Sequence, residues 1–124
     1  MQETSREFGL PVYSVEQIRA AEEQAFLVTP PGALMQRAAF ALGVGCVKLL
    51  SDTFGLVYGT SVLVVAGPGN NGGDALFAGA LLARRGVRVE VFLVVPGVCH
   101  VDGLAACVAA GGRVVDSPVG EFDL

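Results

Sequence analysis

The sequence predicts an α/β fold, a three-layer α/β/α arrangement with a mostly parallel sheet, and three observations lead to it. Two apolar runs, Ser61–Ala66 and Arg88–Val95, do not alternate polar with apolar residues, which is typical of strands buried on both faces. A helical segment follows each run, and a short strand, Arg113–Val115, comes after the second helix. This order corresponds to about three strands of a doubly wound sheet.

Two helices precede the first strand. Ser14 and Gln17 have the spacing of a capping box, which predicts a helix that begins after Ser14. Thr29–Gly32, with two prolines and a glycine, ends this helix. A second helix is predicted over Ala33–Leu50, and its few polar residues indicate that it is covered on most sides.

Two more helices connect the strands. A glycine-rich turn, Gly67–Gly73, leads into a helix predicted over Asp74–Arg85, which Gly86 ends. The next helix is predicted over Val101–Ala110. Asp74 stands at the predicted helix start, where an aspartate caps free backbone amides.

The composition excludes several classes of protein. The 124 residues fit one domain, and the 52% hydrophobic and 16% charged content is incompatible with intrinsic disorder. We expect no membrane association, because the longest apolar run, Ala38–Val47, is half the ~20 residues of a spanning helix. The net charge of −4, without a basic stripe, argues against nucleic-acid binding.

The cysteines and the single histidine give little sign of a disulfide or metal site. Cys46, Cys99 and Cys107 show no CxxC spacing, so we expect buried thiols in a reducing compartment and a cytoplasmic protein. His100 has no partner at metal-ligand spacing, and we expect a surface loop histidine. Met1–Gly9 contains charged residues and no apolar run, so we expect that this segment is not a secretory signal.

The last residues, Glu121–Leu124, have the pattern of an entry to another strand. In the doubly wound order a fourth strand lies beside the first, and without it Ser61–Ala66 would be an open sheet edge. We therefore expect a fold truncated after about three strands, in which residues 1–12 form an N-terminal tail and residues 13–124 a partial domain.

The segment Gly67–Asp74 is the strongest candidate for a ligand site. It lies between a buried strand and a helix N-terminus, where unpaired amides favour phosphate, and it contains GxGxxG. The acidic residue of a dinucleotide-binding dehydrogenase is missing from the carboxyl end of the second strand, since Glu90 stands near its beginning. Asn70 and Asn71 offer carboxamides to a cation or a polar ring. A turn whose glycines serve only backbone geometry remains the alternative.

Three separated segments resemble one family. Ser14–Arg19, Gly32–Ala39 and Ser61–Asp74 are similar, in order and spacing, to the YjeF N-terminal domain of NAD(P)H-hydrate epimerases. The resemblance implies a Rossmann-like fold that interconverts the R and S forms of hydrated NADH and NADPH, a nucleotide repair step. It also implies a partner dehydratase, which some bacterial relatives carry on the same polypeptide.

The resemblance assigns roles to particular residues. The residues that match the family's contacts to the hydrated nucleotide are Asn70, Asn71, Gly72, Gly73 and Asp74. Asn71 also matches a potassium ligand, so the implied cofactor is a potassium ion. Ala75 and Gln36 depart from the family's usual glycine and glutamate. No residue matches the family's other potassium ligands or its aspartate at the substrate, so the catalytic residue is unknown and we expect the chain alone to be inactive.

Two other functions stay open. Domains of this fold also serve as dimerising scaffolds without catalysis, and a third possibility is a generic mononucleotide-binding module. The paired carboxamides of Asn70 and Asn71 favour the enzyme over the scaffold. We expect a homodimer, in which the apolar helix Ala33–Leu50 is either core or subunit interface.

Overall fold

The computed structural model describes residues 5–7, 10–12, 14–28 and 32–124. Two compact units make up the chain, Met1–Leu34 and Met35–Leu124. The first unit contains a short hairpin and a helix, and the second contains the parallel sheet with its connecting helices.

The first unit begins with an antiparallel hairpin of β1, Ser5–Glu7, and β2, Leu10–Val12. Sequence analysis predicted no strand in this tail, because three-residue strands are too short to show a period. Helix α1, Val15–Val28, starts as predicted from a capping box: the Gln17 amide donates to Ser14 Oγ at 3.1 Å, and the Ser14 amide donates to Gln17 Oε1 at 2.9 Å. Of the predicted stop, Thr29–Gly32, residues 29–31 lie outside the described residues, and Gly32 has a positive φ of 84°.

Helix α2 spans Ala33–Phe54, four residues beyond the predicted end. The extra turn carries an ion pair of Lys48 Nζ with Asp52 Oδ2 at 3.2 Å. Gly55 ends the helix with a positive φ of 76°, and its amide donates to Ser51 O at 2.8 Å. Gly55 therefore sets the C-terminal end of α2.

Most of α2 is exposed, which corrects the expectation that it is covered on most sides. Its buried residues are Ala39, Gly43 and Leu50, on one face. Among the described residues, α2 is the one helix whose length and composition would allow it to cross a membrane, with a mean hydropathy of 1.4 and 17% of that stretch buried. The exclusion based on Ala38–Val47 was therefore too strict, although core helices of soluble proteins meet the same criterion.

The second unit contains a three-stranded parallel sheet in the order β3–β4–β5, as predicted. Its strands are β3, Ser61–Ala66, β4, Arg88–Leu93, and β5, Arg113–Val114. Helix α3, Asn70–Arg84, connects β3 to β4, and α4, Val101–Ala109, connects β4 to β5. Strand β4 ends two residues before the predicted boundary. Parallel strands with helical crossovers confirm the α/β class.

The core lies on one face of the sheet. The side chains of Val62 and Val64 on β3 are buried, and they lie beside Val89 and Val91 on β4. Gly79 of α3 brings its backbone close to this face, because a Cβ there would lie 3.1 Å from Val64 Cγ2. Small residues on α3 thus allow a close helix–sheet contact.

The opposite face of β3 is open, which corrects the expectation that this strand is buried on both faces. Val65 on that face is 55% exposed, and Leu63 is half-buried. On β4 the same face carries Glu90, which pairs with Arg113 at 3.0 Å. An unbroken apolar run therefore did not by itself mean burial on both sides.

The free edge of β3 begins to pair with the last residues. The Leu63 amide donates to Leu124 O at 2.9 Å, and the Leu124 amide donates to Ser61 O at 3.2 Å. This is the hydrogen-bond pattern of a parallel pair with Leu124 opposite Val62. Asp123 Oδ2 also accepts from the Ser61 amide at 2.8 Å. The predicted entry, Glu121–Leu124, therefore hydrogen-bonds to the edge of β3 through its last two residues but does not form a strand.

Candidate nucleotide-binding turn

The turn between β3 and α3 is shorter than the sequence predicted. Strand β3 ends at Ala66 and α3 begins at Asn70, so only three residues separate them. The helix was predicted to start at Asp74, four residues later. Gly69 is the N-cap and makes no side-chain cap hydrogen bond, and Asp74 is the fifth residue of α3 rather than the residue at its start, which corrects its predicted position.

Backbone contact explains the early helix start. A Cβ on Gly72 would overlap the carbonyl oxygen of Gly67 and lie 3.0 Å from its carbonyl carbon. Only glycine allows the first turn of α3 to fold this closely against the end of β3. Sequence reasoning placed the glycines outside the helix because glycine is a poor helix former.

The first turn of α3 presents free backbone donors. The Gly73 amide makes the first helical bond, to Gly69 O at 3.2 Å, so the amides of residues 70–72 precede the helical ladder. The first turn carries no acidic residue. The positive end of the helix dipole therefore favours an anion there, by about 0.3–1 kcal/mol for an exposed charge.

The five predicted binding residues form one continuous stretch of α3, but their surroundings differ. Asn70 and Asn71 are exposed, whereas Gly72 and Gly73 are buried. Asp74 is half-buried and already has an interaction partner. Residues four apart lie on the same side of a helix, so Asn70 and Asp74 share a face. The carboxamides of Asn70 and Asn71 are accessible to a ligand, while the missing side chains of Gly72 and Gly73 allow close packing.

The residues present do not make a complete potassium site. Asn71 offers one exposed carboxamide oxygen, and a monovalent cation needs several oxygens at once. The described part of the chain contains no group of three His, Cys, Asp or Glu side chains that could hold a metal ion. No step of the chemistry is therefore assigned to an ion in this chain.

His100 is the residue that the sequence analysis undervalued. It is the N-cap of α4 rather than a surface loop residue, and its Nδ1 accepts a hydrogen bond from the Gly103 amide at 3.0 Å. The half-buried ring lies edge-on to Phe77, with ring centroids 5.6 Å apart. Histidine is not among the usual capping residues, so its position before Val101 gave little signal.

The position of Glu90 in the structure argues further against a dinucleotide-binding dehydrogenase. Glu90 is the third residue of β4, and its carboxylate pairs with Arg113 on the open face of the sheet. It is not at the carboxyl end of the strand, where a dinucleotide's ribose would lie.

A family profile agrees with this arrangement of strand, glycine turn and helix. The profile described as YjeF-related protein N-terminus matches residues 31–119. The chain belongs to the YjeF N-terminal family. The match includes α2, the glycine turn and all three parallel strands, which are the elements that position the candidate site.

The YjeF N-terminal chain is similar in sequence to proteins named as NAD(P)H-hydrate repair enzymes or epimerases. It is 45% identical over 112 residues to a Mycobacterium tuberculosis protein named bifunctional NAD(P)H-hydrate repair enzyme Nnr, covering 90% of this chain and 24% of that protein. It is 47% identical over 103 residues to a Microbacterium testaceum protein named NAD(P)H-hydrate epimerase, covering 83% of this chain and 37% of that one. The chain therefore spans about a quarter to just over a third of these relatives' length.

A solved structure supports the fold. The crystal structure of the yeast protein ynu0 matches with a TM-score of 0.56 and 26% identity, over 79% of this chain and 44% of the yeast chain. Together with the parallel sheet, this match shows that the YjeF N-terminal chain has part of a Rossmann-like α/β fold.

Proposed function

We propose that this chain is the N-terminal part of an NAD(P)H-hydrate epimerase, which interconverts the R and S forms of hydrated NADH and NADPH. The names of its relatives support this function. The observation that carries it is the turn after β3, where free amides of residues 70–72 stand beside two exposed carboxamides. An NAD-type nucleotide has a pyrophosphate for such amides and ribose hydroxyls for polar side chains.

Each part of the turn has a distinct role in this proposal. The amides of the first turn hold the pyrophosphate, because they combine free donors with the positive end of α3. Asn70 and Asn71 orient the bound nucleotide through their carboxamides. Asp74, on the same helical face as Asn70, accepts from a ribose hydroxyl. Gly72 allows the turn to pack against Gly67 after β3, and Gly73 leaves space for Met35 and His100.

The chemical step needs a group that the turn does not supply. Epimerisation requires a positioned acid or base at the reacting carbon. We assign none of the described residues this role, and the relatives are about three to four times as long as the matched region. We propose that the full-length protein supplies this group and that the 124 residues alone bind nucleotide without turning it over.

Potassium, the dehydratase and the cellular location belong to the same proposal. Asn71 would contribute one oxygen to a potassium site that other parts of the protein complete. The Mycobacterium tuberculosis relative is named as bifunctional, which supports a dehydratase activity on the same polypeptide. Three free cysteines agree with a reducing, cytoplasmic environment.

We also propose a homodimer, supported by the exposed side of α2. Phe40 is 63% exposed and Val44 is 46% exposed. Both line an apolar groove of about 370 Å³ between α2 and Leu81 of α3. Sedimentation equilibrium tests this proposal: a dimer that Phe40→Asp dissociates would support it, and a monomer at all concentrations would refute it.

Nucleotide binding separates the enzyme from the scaffold. NADPH at 100 times its dissociation constant should stabilise the folded chain by about 2.7 kcal/mol, which calorimetric or fluorescence melting would detect. Asn71→Ala should weaken binding, while Thr53→Ala, at an exposed position on α2, should not. The absence of stabilisation at millimolar NADPH would favour a scaffold.

A further inference from the structure

We propose that His100 is a positioning residue for the turn that holds the nucleotide; this inference rests on the proposed function. Its imidazole occupies a slot between two glycines on neighbouring helices, Gly73 of α3 and Gly103 of α4. Gly73 directly follows the free amides of residues 70–72. The ring thereby fixes the position of the amides of residues 70–72 relative to α4, which begins at the same edge of the sheet.

Contacts on one side of Gly73 define the slot. A Cβ placed on this buried glycine would lie 3.0 Å from both Cγ and Cδ2 of His100. It would also lie 2.9 Å from Met35 Sδ, at the start of α2. The imidazole and the thioether thus fill the space beside Gly73 where a side chain would stand.

Contacts on the other side fix the ring itself. Nδ1 accepts from the Gly103 amide at 3.0 Å, and a Cβ on Gly103 would lie 3.2 Å from that nitrogen. Phe77 contacts the ring edge-on with an interplanar angle of 63°. A hydrogen bond and two packing contacts leave the ring little freedom, so it can act as a rigid spacer rather than only as a cap.

A simple capping role makes a different prediction from a spacer. A cap needs an acceptor near the Gly103 amide, which asparagine supplies as well as histidine does. A spacer needs a flat ring against Gly73, which phenylalanine supplies without an acceptor. His100→Asn and His100→Phe therefore separate the two roles, and Met35→Ala removes the second side chain that packs on Gly73 while leaving the cap in place.

Two measurements decide between the roles: hydrogen exchange of the Gly73 amide, which donates to Gly69 O, in the ligand-free chain, and the dissociation constant for NADPH. In His100→Asn we expect exchange about tenfold faster and binding about tenfold weaker, with an unchanged urea midpoint, because small displacements of a positioned group are costly. Met35→Ala should accelerate the same exchange. His100→Phe should keep both values near wild type while lowering the urea midpoint.

Three results would contradict the positioning role of His100. Wild-type exchange and binding in His100→Asn would overturn the positioning role and leave only the cap. If His100→Phe does not fold, the Met35→Ala exchange decides, and an unchanged rate there would overturn the proposal. Failure of the wild-type chain to bind NADPH would refute the proposed function, and the positioning role with it, even where the exchange results confirm the packing of the turn.

Discussion

Replacing Gly72 by alanine is the sharpest test of how the turn is built. The added Cβ would overlap Gly67 O and lie 3.0 Å from Gly67 C, and both atoms are backbone. Backbone cannot swing aside as a flexible side chain can, so the turn must shift. Overpacking of this kind costs about 3 kcal/mol at the upper end of its range, and alanine recovers about 1 kcal/mol of helix propensity, which leaves a net loss of about 2 kcal/mol.

Urea unfolding of the wild type and the variant measures this loss. With a slope of about 2 kcal/mol per molar urea, the midpoint should fall by about 1 M. Gly45→Ala is the matched control, because Gly45 lies in the middle of α2 and a Cβ there meets nothing within 4 Å. That variant should be about 0.5–1 kcal/mol more stable than the wild type. A Gly72→Ala midpoint at or above that of the wild type would refute the reasoning.

Two further predictions concern the sheet edge and the buried thiols. Asp123→Ala removes the acceptor for the Ser61 amide and should cost about 0.5–1.5 kcal/mol in urea unfolding; an unchanged midpoint would mean that this edge contact is not stabilising. Burial raises the pKa of the Cys107 thiol above its ordinary 9.0, so the unfolded chain loses this proton at lower pH than the folded one. The free energy of unfolding should therefore fall as pH rises above about 9, and Cys107→Ser should reduce that slope. An equal slope in both proteins would contradict this assignment. Burial also raises the pKa of Cys46, so part of the slope should remain.

Local signals in the sequence predicted most element boundaries. The capping box at Ser14 and Gln17 appears in the structure with both hydrogen bonds formed. The glycine at the end of α3, Gly86, adopts the positive φ of 84° expected after a helix. These features depend on a few neighbouring residues, which is why sequence reasoning can find them.

Features that depend on distant contacts were missed. Helix α3 starts at Asn70 because Gly72 packs against Gly67, and a preference scale that penalises glycine in helices places the start later. His100 contacts both α3 and α4, and these helices lie close together only in the folded protein. Composition likewise did not reveal that one side of α2 and one face of β3 are open.

At the candidate site, too, local features were predicted from the sequence and features that depend on packing were not. The sequence placed Asn70 and Asn71 at a helix N-terminus after a strand, and the structure has them exposed there. It could not show which residues of the stretch are accessible. The structure has Asn70 and Asn71 exposed, whereas Gly72 and Gly73 are buried.

Epimerisation by the full-length protein tests the central claim most directly. Purified R-form hydrated NADPH is incubated with the protein and potassium, and chromatography follows the appearance of the S form. We predict rapid equilibration of the two forms, and a loss of the potassium dependence in Asn71→Ala. A wild-type protein that binds NADPH but leaves the R form at its uncatalysed rate of conversion would contradict the account.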